Sequence, residues 1–225
     1  MLLTDEQVQL ILGSTLGNMS INRQLGGATL TSKRNPRVRV EHVESNMDYI
    51  QWKFSILGNL VTPMGIRCSE VRDNRCDWED RRMCFFTTRC LSELYPLFNL
   101  CYSNGGKRRI TPEWVRTLHH PISLAAYFMD SGGVGARGRY SQVRFTVPRC
   151  TVEEANIVKK YLFEEGMGIH TTLVSDINKI RGRLVAGGHH TLTIAKRSDV
   201  ENFISIVMPY VMGVPSMRWK IEPFL

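Results

Sequence analysis

Two short apolar stretches, each seeded with small residues, constrain this chain most. Residues 11–18 read ILGSTLGN and residues 123–133 read SLAAYFMDSGG. Gly13, Ser14 and Gly17 in the first, and Ala125, Ala126 and Gly132 in the second, lie among large aliphatic and aromatic side chains. Small residues let two helix backbones approach closely. One such helix would read as ordinary core. Two, at equivalent places in a repeated plan, predict a helix pair at a pseudo-two-fold axis.

The repeated plan is visible along the chain. Val8, Leu10, Ile11, Leu12 and Leu16 predict a buried helix from Glu6 to Leu16, with Thr4 as its N-cap and an end near Gly17. A polar, glycine-bearing loop leads to RVRVEHV, which alternates like a half-buried strand. Ser45 opens a helical stretch, the segment from Thr62 to Arg82 is charged and irregular, and MCFFTTR reads as a strand. CLSELYPLFNLCY reads as a helix with Pro96 inside or ending it. After the connection SNGGKRRITPEWVRTLHHP the order recurs: a helix over 122–130, a glycine-rich loop, the strand YSQVRFTV, and a helix over 151–165 with Thr151 and Glu154 as a capping box. A ribbon of IHTTLVSDI and HTLTIAK, joined by NKIRGRLVAGG, precedes a last helix that starts at Ser198. Two halves of roughly 110 residues with one plan suggest duplication. Residues 1–106 and 121–225 are read as the repeats, with 107–120 as a linker.

Composition narrows the partners. Lysine and arginine number 29 against 21 acids, a net charge of +8 that favours a polyanion. No apolar run reaches the ~18 residues of a membrane span, and MLLTDEQVQLILG lacks the basic flank of a signal peptide. An intracellular protein without a membrane partner is expected. Six cysteines (Cys68, Cys76, Cys84, Cys90, Cys101, Cys150) without a CxxC pair are expected to be reduced thiols. The doublets His119-His120 and His189-His190 read as surface loop residues. CSEVRDNRCDWEDRRMC reads as a salt-laced surface hairpin.

ILGSTLGNM, PISLAAYFMDSGG, TVEEANIVKKYLFEEGMGIHTTL and the closing MPYVMGVPSMRWKI together resemble the LAGLIDADG homing endonuclease family, in its single-chain, two-repeat form. The likeness covers nearly the whole chain. It implies an α+β fold of two pseudo-symmetric αββαββα repeats, packed through two central helices, whose antiparallel sheets form a saddle. A monomer is then the natural unit. Basic residues in alternation suit such a saddle. Arg37 and Arg39 fall on one face of a strand, and Arg137 with Arg139, like Lys179, Arg181 and Arg183, repeat the pattern. The nucleic-acid-binding set so expected adds Lys33, Arg34, Arg109 and Arg144. Lys220 matches the family's lysine after the last helix, and Lys107 is its counterpart from the first repeat, with Arg108 as the alternative; with no metal present, the resemblance implies that these three join the nucleic-acid-binding set as phosphate contacts. Tyr140, Trp78 and Phe85 are each as suited to the core as to stacking on bases.

Active members of the family end each signature helix in an acid. Paired carboxylates hold hard divalent cations that position water and stabilise the departing oxygen. Asn18 and Ser131 occupy those two positions here. Asp130 lies one residue earlier, turned by about 100° on a helix. No catalytic residue, metal or cofactor is therefore expected, with Mg2+ relevant only if cleavage survives. The expected function is non-catalytic binding of nucleic acid, with structured RNA (intron or ribosomal, within a ribonucleoprotein) narrowly ahead of duplex DNA. One competing reading is a working site-specific double-strand DNA endonuclease that uses Asp130 or Glu41. Another is an interaction protein that docks its basic face on an acidic protein surface.

Overall fold

The computed structural model describes residues 2–23, 35–71, 81–102, 106–137, 140–148, 150–176, 179–180, 183–184 and 189–225. The first half runs α1 (Asp5–Leu16), β1 (Ser20–Asn22), β2 (Arg37–Val43), α2 (Met47–Leu57), β3 (Arg67–Val71), β4 (Arg81–Thr87) and α3 (Tyr95–Cys101). A short α4 (Pro112–Arg116) leads to α5 (Pro121–Ser131), β5 (Gly132–Arg137), β6 (Tyr140–Val147) and α6 (Val152–Ile157). The helix of α6 widens into π geometry over Val158–Glu164 before α7 (Glu165–Met167). The chain closes through β7 (Thr172–Asp176), β8 (Lys179–Ile180), β9 (Arg183–Leu184), β10 (His189–Ile194) and α8 (Arg197–Val211).

The two halves share one topology. The first sheet has the order β1-β2-β4-β3 and the second β5-β6-β10-β7, with the β8–β9 ribbon inserted between β7 and β10. All pairings are antiparallel. The fold is α+β, with two αββαββα units about a pseudo-two-fold axis.

The central helices explain why the small residues are needed. In α1, Thr4 and Gln7 form the capping box, each side chain meeting the other's backbone N–H at 3.2 Å. Every residue from Gln9 to Leu16 is buried, as is every residue from Ile122 to Met129 in α5. Helices buried on all sides belong inside a core. Gln9 lies beside His119 and His120, Gly13 beside Ser123 and Gly17 beside Asp130, so the two helices run side by side in the same direction. A Cβ at Gly13 would sit 2.2 Å from the Ser123 carbonyl oxygen, and one at Gly17 2.3 Å from the Asp130 Cβ. Around this pair one apolar core runs through both halves.

Several local expectations need correction. Pro96 stands in the first turn of α3 rather than inside or at its end, because a residue there has no intrahelical N–H bond to lose. The glycine-rich stretch after α5 is a strand, paired with β6 from Gly132 to Arg137, and the Arg144 side chain lies across Gly135. The connection between the halves carries α4, whose Trp114 is fully buried, and Gln9 fastens it by accepting from the His119 and His120 N–H groups. His120 caps α5 through Nδ1, and His190 is buried in β10 beside Ser175, so neither is a free surface residue. Cys68 and Cys84 are joined in a disulfide, against the expectation of six thiols. The β3–β4 register sets them directly opposite one another, a proximity that spacing alone does not reveal. Cys90, Cys101 and Cys150 are free, and Cys76 and Trp78 lie outside the described residues.

Candidate nucleic-acid interface and the helix-end site

The helix-end positions carry no charge. Asn18 is exposed and donates from Nδ2 to the Asp130 carbonyl at 3.1 Å, while Ser131 is half-buried. The carboxylate nearby is turned inward. Asp130 has no exposed side-chain surface, and its two oxygens accept from Lys53 Nζ at 2.8 and 2.9 Å. The Tyr49 hydroxyl donates to Oδ1 at 3.0 Å, and His42 Nε2 lies 3.3 Å from the same oxygen. Lys53 is itself fully buried.

Local sequence explains the cluster. Tyr49 and Lys53 are four apart on α2 and so share a face. Alternation in RVRVEHV places His42 on the inward side with Val38 and Val40. Elements of the first half thus clasp an acid from the second. Burial by itself would raise the Asp130 carboxyl, but the Lys53 charge and the His42 contact hold it below the ordinary range. Burial lowers the Lys53 ammonium, an effect that Asp130 opposes. Burial also depresses His42 despite its hydrogen bond to Asp130, and raises the Tyr49 hydroxyl, with the Asp130 charge adding to that rise. These residues do not fit a divalent cation: an ammonium already occupies the carboxylate, and Asn18 and Ser131 add no charge.

The two central helices end on matched cations. Arg108 Nη1 donates to the carbonyls of Thr15 at 2.9 Å and Leu16 at 3.3 Å, and Nη2 reaches Pro148 O. Lys220 Nζ donates to Phe128, Met129 and Gly132 carbonyls at 3.1, 2.6 and 2.7 Å. Each cation meets the negative end of a helix dipole and its orphan carbonyls. Burial pulls the Lys220 ammonium down to about 8, with Asp130 opposing the fall. Arg108 thus caps the end of the first central helix as Lys220 caps the end of the second. Lys107 and Arg109 are exposed.

The outward face of the first sheet carries a cluster of arginines. Arg37 and Arg39 share it, as alternation requires, with the inward positions buried. Arg67 pairs directly with Phe85, and the Arg39 and Arg67 guanidiniums stand 4.3 and 5.0 Å from the Phe85 ring centroid. Arg39 also meets Glu41 at 3.0 Å, which leaves Glu41 paired rather than poised for chemistry. On the second sheet Arg144 is exposed on β6, and Arg137 ends β5 opposite Tyr140. Lys179 and Arg183 do not share a strand: the chain turns between them, with Lys179 opposite Leu184 and Arg183 opposite Ile180. Lys33, Arg34, Arg139 and Arg181 lie outside the described residues.

Sequence reading did not single out Lys53, His42, Tyr49 or Arg67. A signal existed for two of them. A histidine in phase with inward valines, and a lysine one turn from an inward tyrosine, each require a buried partner. Nothing local pointed to Asp130 as that partner.

Comparison with known proteins agrees with this geometry. Residues 8–181 match the LAGLIDADG DNA endonuclease family. The homing endonuclease I-WcaI, solved bound to its DNA recognition sequence, superposes with a TM-score of 0.76 at 19% identity, over 98% of this chain and 88% of that one. Two proteins named RecA are also similar. That of Mycolicibacterium flavescens is 27% identical over 98% of this chain and 47% of its own length. That of Mycobacterium leprae (strain TN) is 24% identical over 99% of this chain and 28% of its own. The chain thus spans about half the length, or less, of the curated relatives it matches, whose name describes the whole protein. No helix of the described residues is long and apolar enough to cross a membrane. With its paired small-residue helices, its two sheets of one topology and a family match over most of its length, this chain belongs to the LAGLIDADG DNA endonuclease family.

Proposed function

We propose that this chain binds nucleic acid across its two sheets and does not cut it. The observation that carries the reading is Asp130, the acid nearest the helix ends, buried and neutralised by Lys53. Hydrolysis by paired metals needs two accessible carboxylates, and Asn18 and Ser131 supply neither. Binding needs only phosphate contacts and groove complementarity, for which Arg37, Arg39, Arg67 and Arg144 remain on outward faces. Arg108 and Lys220 serve in this reading as helix-end caps rather than phosphate contacts.

Duplex DNA is taken as the first ligand, because a relative of this fold is a DNA-bound endonuclease. Structured RNA, alone or within a ribonucleoprotein, competes in the same test. Random duplex and RNA pools are passed over the protein, and the enriched ligands are titrated at several salt concentrations. A steep loss of affinity with salt is expected, since phosphate contacts release counterions. The enriched duplex is then incubated with Mg2+ or Mn2+, and it should stay intact. Site-specific scission abolished by Asp130→Asn would falsify the reading.

A further inference from the structure

The Cys68–Cys84 disulfide lies under the surface just described, and nothing in the binding reading uses it. Cys68 follows Arg67, and Cys84 precedes Phe85, so the disulfide is on the opposite face of the same two strands. β3 is the edge strand, held to its sheet through β4 alone. Its five residues carry the Arg67 that completes the pair of guanidiniums at Phe85. The disulfide is the covalent link at that edge. Edge segments with few neighbours open at low free-energy cost, so a cross-link there sets how firmly Arg67 is presented. Cys68 is half-buried, whereas Cys84 is fully buried, so Cys68 is the less enclosed of the two and the side from which a reductant would approach.

We propose that Cys68 and Cys84 form a reversible thiol–disulfide switch that tunes nucleic-acid affinity through the β3–β4 edge; the effect on affinity rests on the binding function proposed above. In the reducing direction a dithiol reductant acts as co-reactant. Its thiolate attacks Cys68 Sγ, the intramolecular S–S bond breaks, and Cys84 departs as a thiolate that takes up a proton. The reductant's second thiolate then attacks the mixed disulfide, releasing Cys68 as a thiolate that is protonated in turn. Two electrons pass to the protein, and the reductant leaves as its own disulfide. Oxidation reverses these steps. Glu44 adds a carboxylate whose oxygen lies within 4.8 Å of both sulfurs. The reduced pair could therefore hold a thiophilic metal ion, and a chelator belongs in the assay.

The test uses the whole chain in oxidised form and after dithiothreitol treatment, with EDTA throughout. Thiol alkylation and mass spectrometry follow the pair, hydrogen exchange follows β3, and titration with a random-sequence duplex DNA pool reads affinity. Reduction should speed exchange across Arg67–Val71 and weaken duplex binding roughly tenfold, equivalent to about 1.4 kcal/mol. Cys68→Ser should match the reduced protein and ignore dithiothreitol, whereas Cys90→Ser should keep the response. Unchanged exchange in β3, or equal affinity of the two forms for the duplex, overturns the switch. Faster exchange in a protein that binds no duplex in either form overturns both the affinity coupling and the duplex ligand, but leaves the redox opening of the edge established.

Discussion

Replacing Lys53 with methionine tests the arrangement on which the proposed absence of cleavage rests. The ammonium lies 2.8 Å from Asp130 Oδ1, and both side chains have no exposed surface. At an effective dielectric of about 20 the pair attracts by about 6 kcal/mol, before the cost of taking two charges out of water. That desolvation cost cancels much of the attraction in an intact pair, so the pair as a whole stabilises little. Removing one partner is different, because Asp130 is then buried without the ammonium, with Tyr49 and His42 as its remaining side-chain contacts among the described residues and Lys220 acting on it only at longer range. The expected cost is about 3–5 kcal/mol. For a chain of this size that lowers Tm by roughly 6–20 °C. The double variant Lys53→Met/Asp130→Leu removes the charge and its orphan together, and it should regain most of the loss. Thermal melts of the parent, both single variants and the double variant form a complete cycle. A Lys53→Met protein that melts within about 2 °C of the parent, or a double variant worse than either single, refutes the reasoning.

Acid should act through the same site. The folded Asp130 carboxyl is held below its ordinary value, so the unfolded chain takes up this proton first. Stability from the group is whole above the unfolded carboxyl value of about 4 and is lost as pH falls below it; urea midpoints in that range should fall less steeply for the double variant. His42 is likewise depressed when folded, so stability rises with pH through the window below about 6.5, and His42→Phe should flatten that slope. Gly13→Ala places a methyl 2.2 Å from the Ser123 carbonyl oxygen and should cost about 1–3 kcal/mol, whereas Gly133→Ala meets nothing within 4 Å and should melt like the parent. Arg39→Ala should weaken binding and reduce the salt slope by about one; an unchanged slope would remove Arg39 from the phosphate contacts.

Much of the architecture was legible in the chain itself. The small residues of α1 and α5, the alternation of β2 and β6, and the capping signatures at Thr4 and Thr151 are local patterns, and local patterns map onto local structure. That uncharged residues, Asn18 and Ser131, stand at the ends of the two central helices was legible for the same reason, since a motif position is a place in the sequence. The glycine-rich β5 was misread because backbone ladder bonds, with Arg144 lying across Gly135, outweighed intrinsic propensity.

What only the tertiary structure decided is which distant residues meet. Lys53 and Asp130 are 77 positions apart, and their ion pair exists because Tyr49 and Lys53 of α2 reach the C-terminal part of α5 through their side chains. The Cys68–Cys84 bond follows from strand register, and the guanidiniums at Phe85 from the pairing of three strands. Lys220 and Arg108 became helix caps because the chain folds back onto two carbonyl-rich helix ends. Charge and residue type are written in the sequence. Whether a charge faces solvent, a phosphate or a buried partner depends on desolvation and contact, which exist only once the chain has closed on itself.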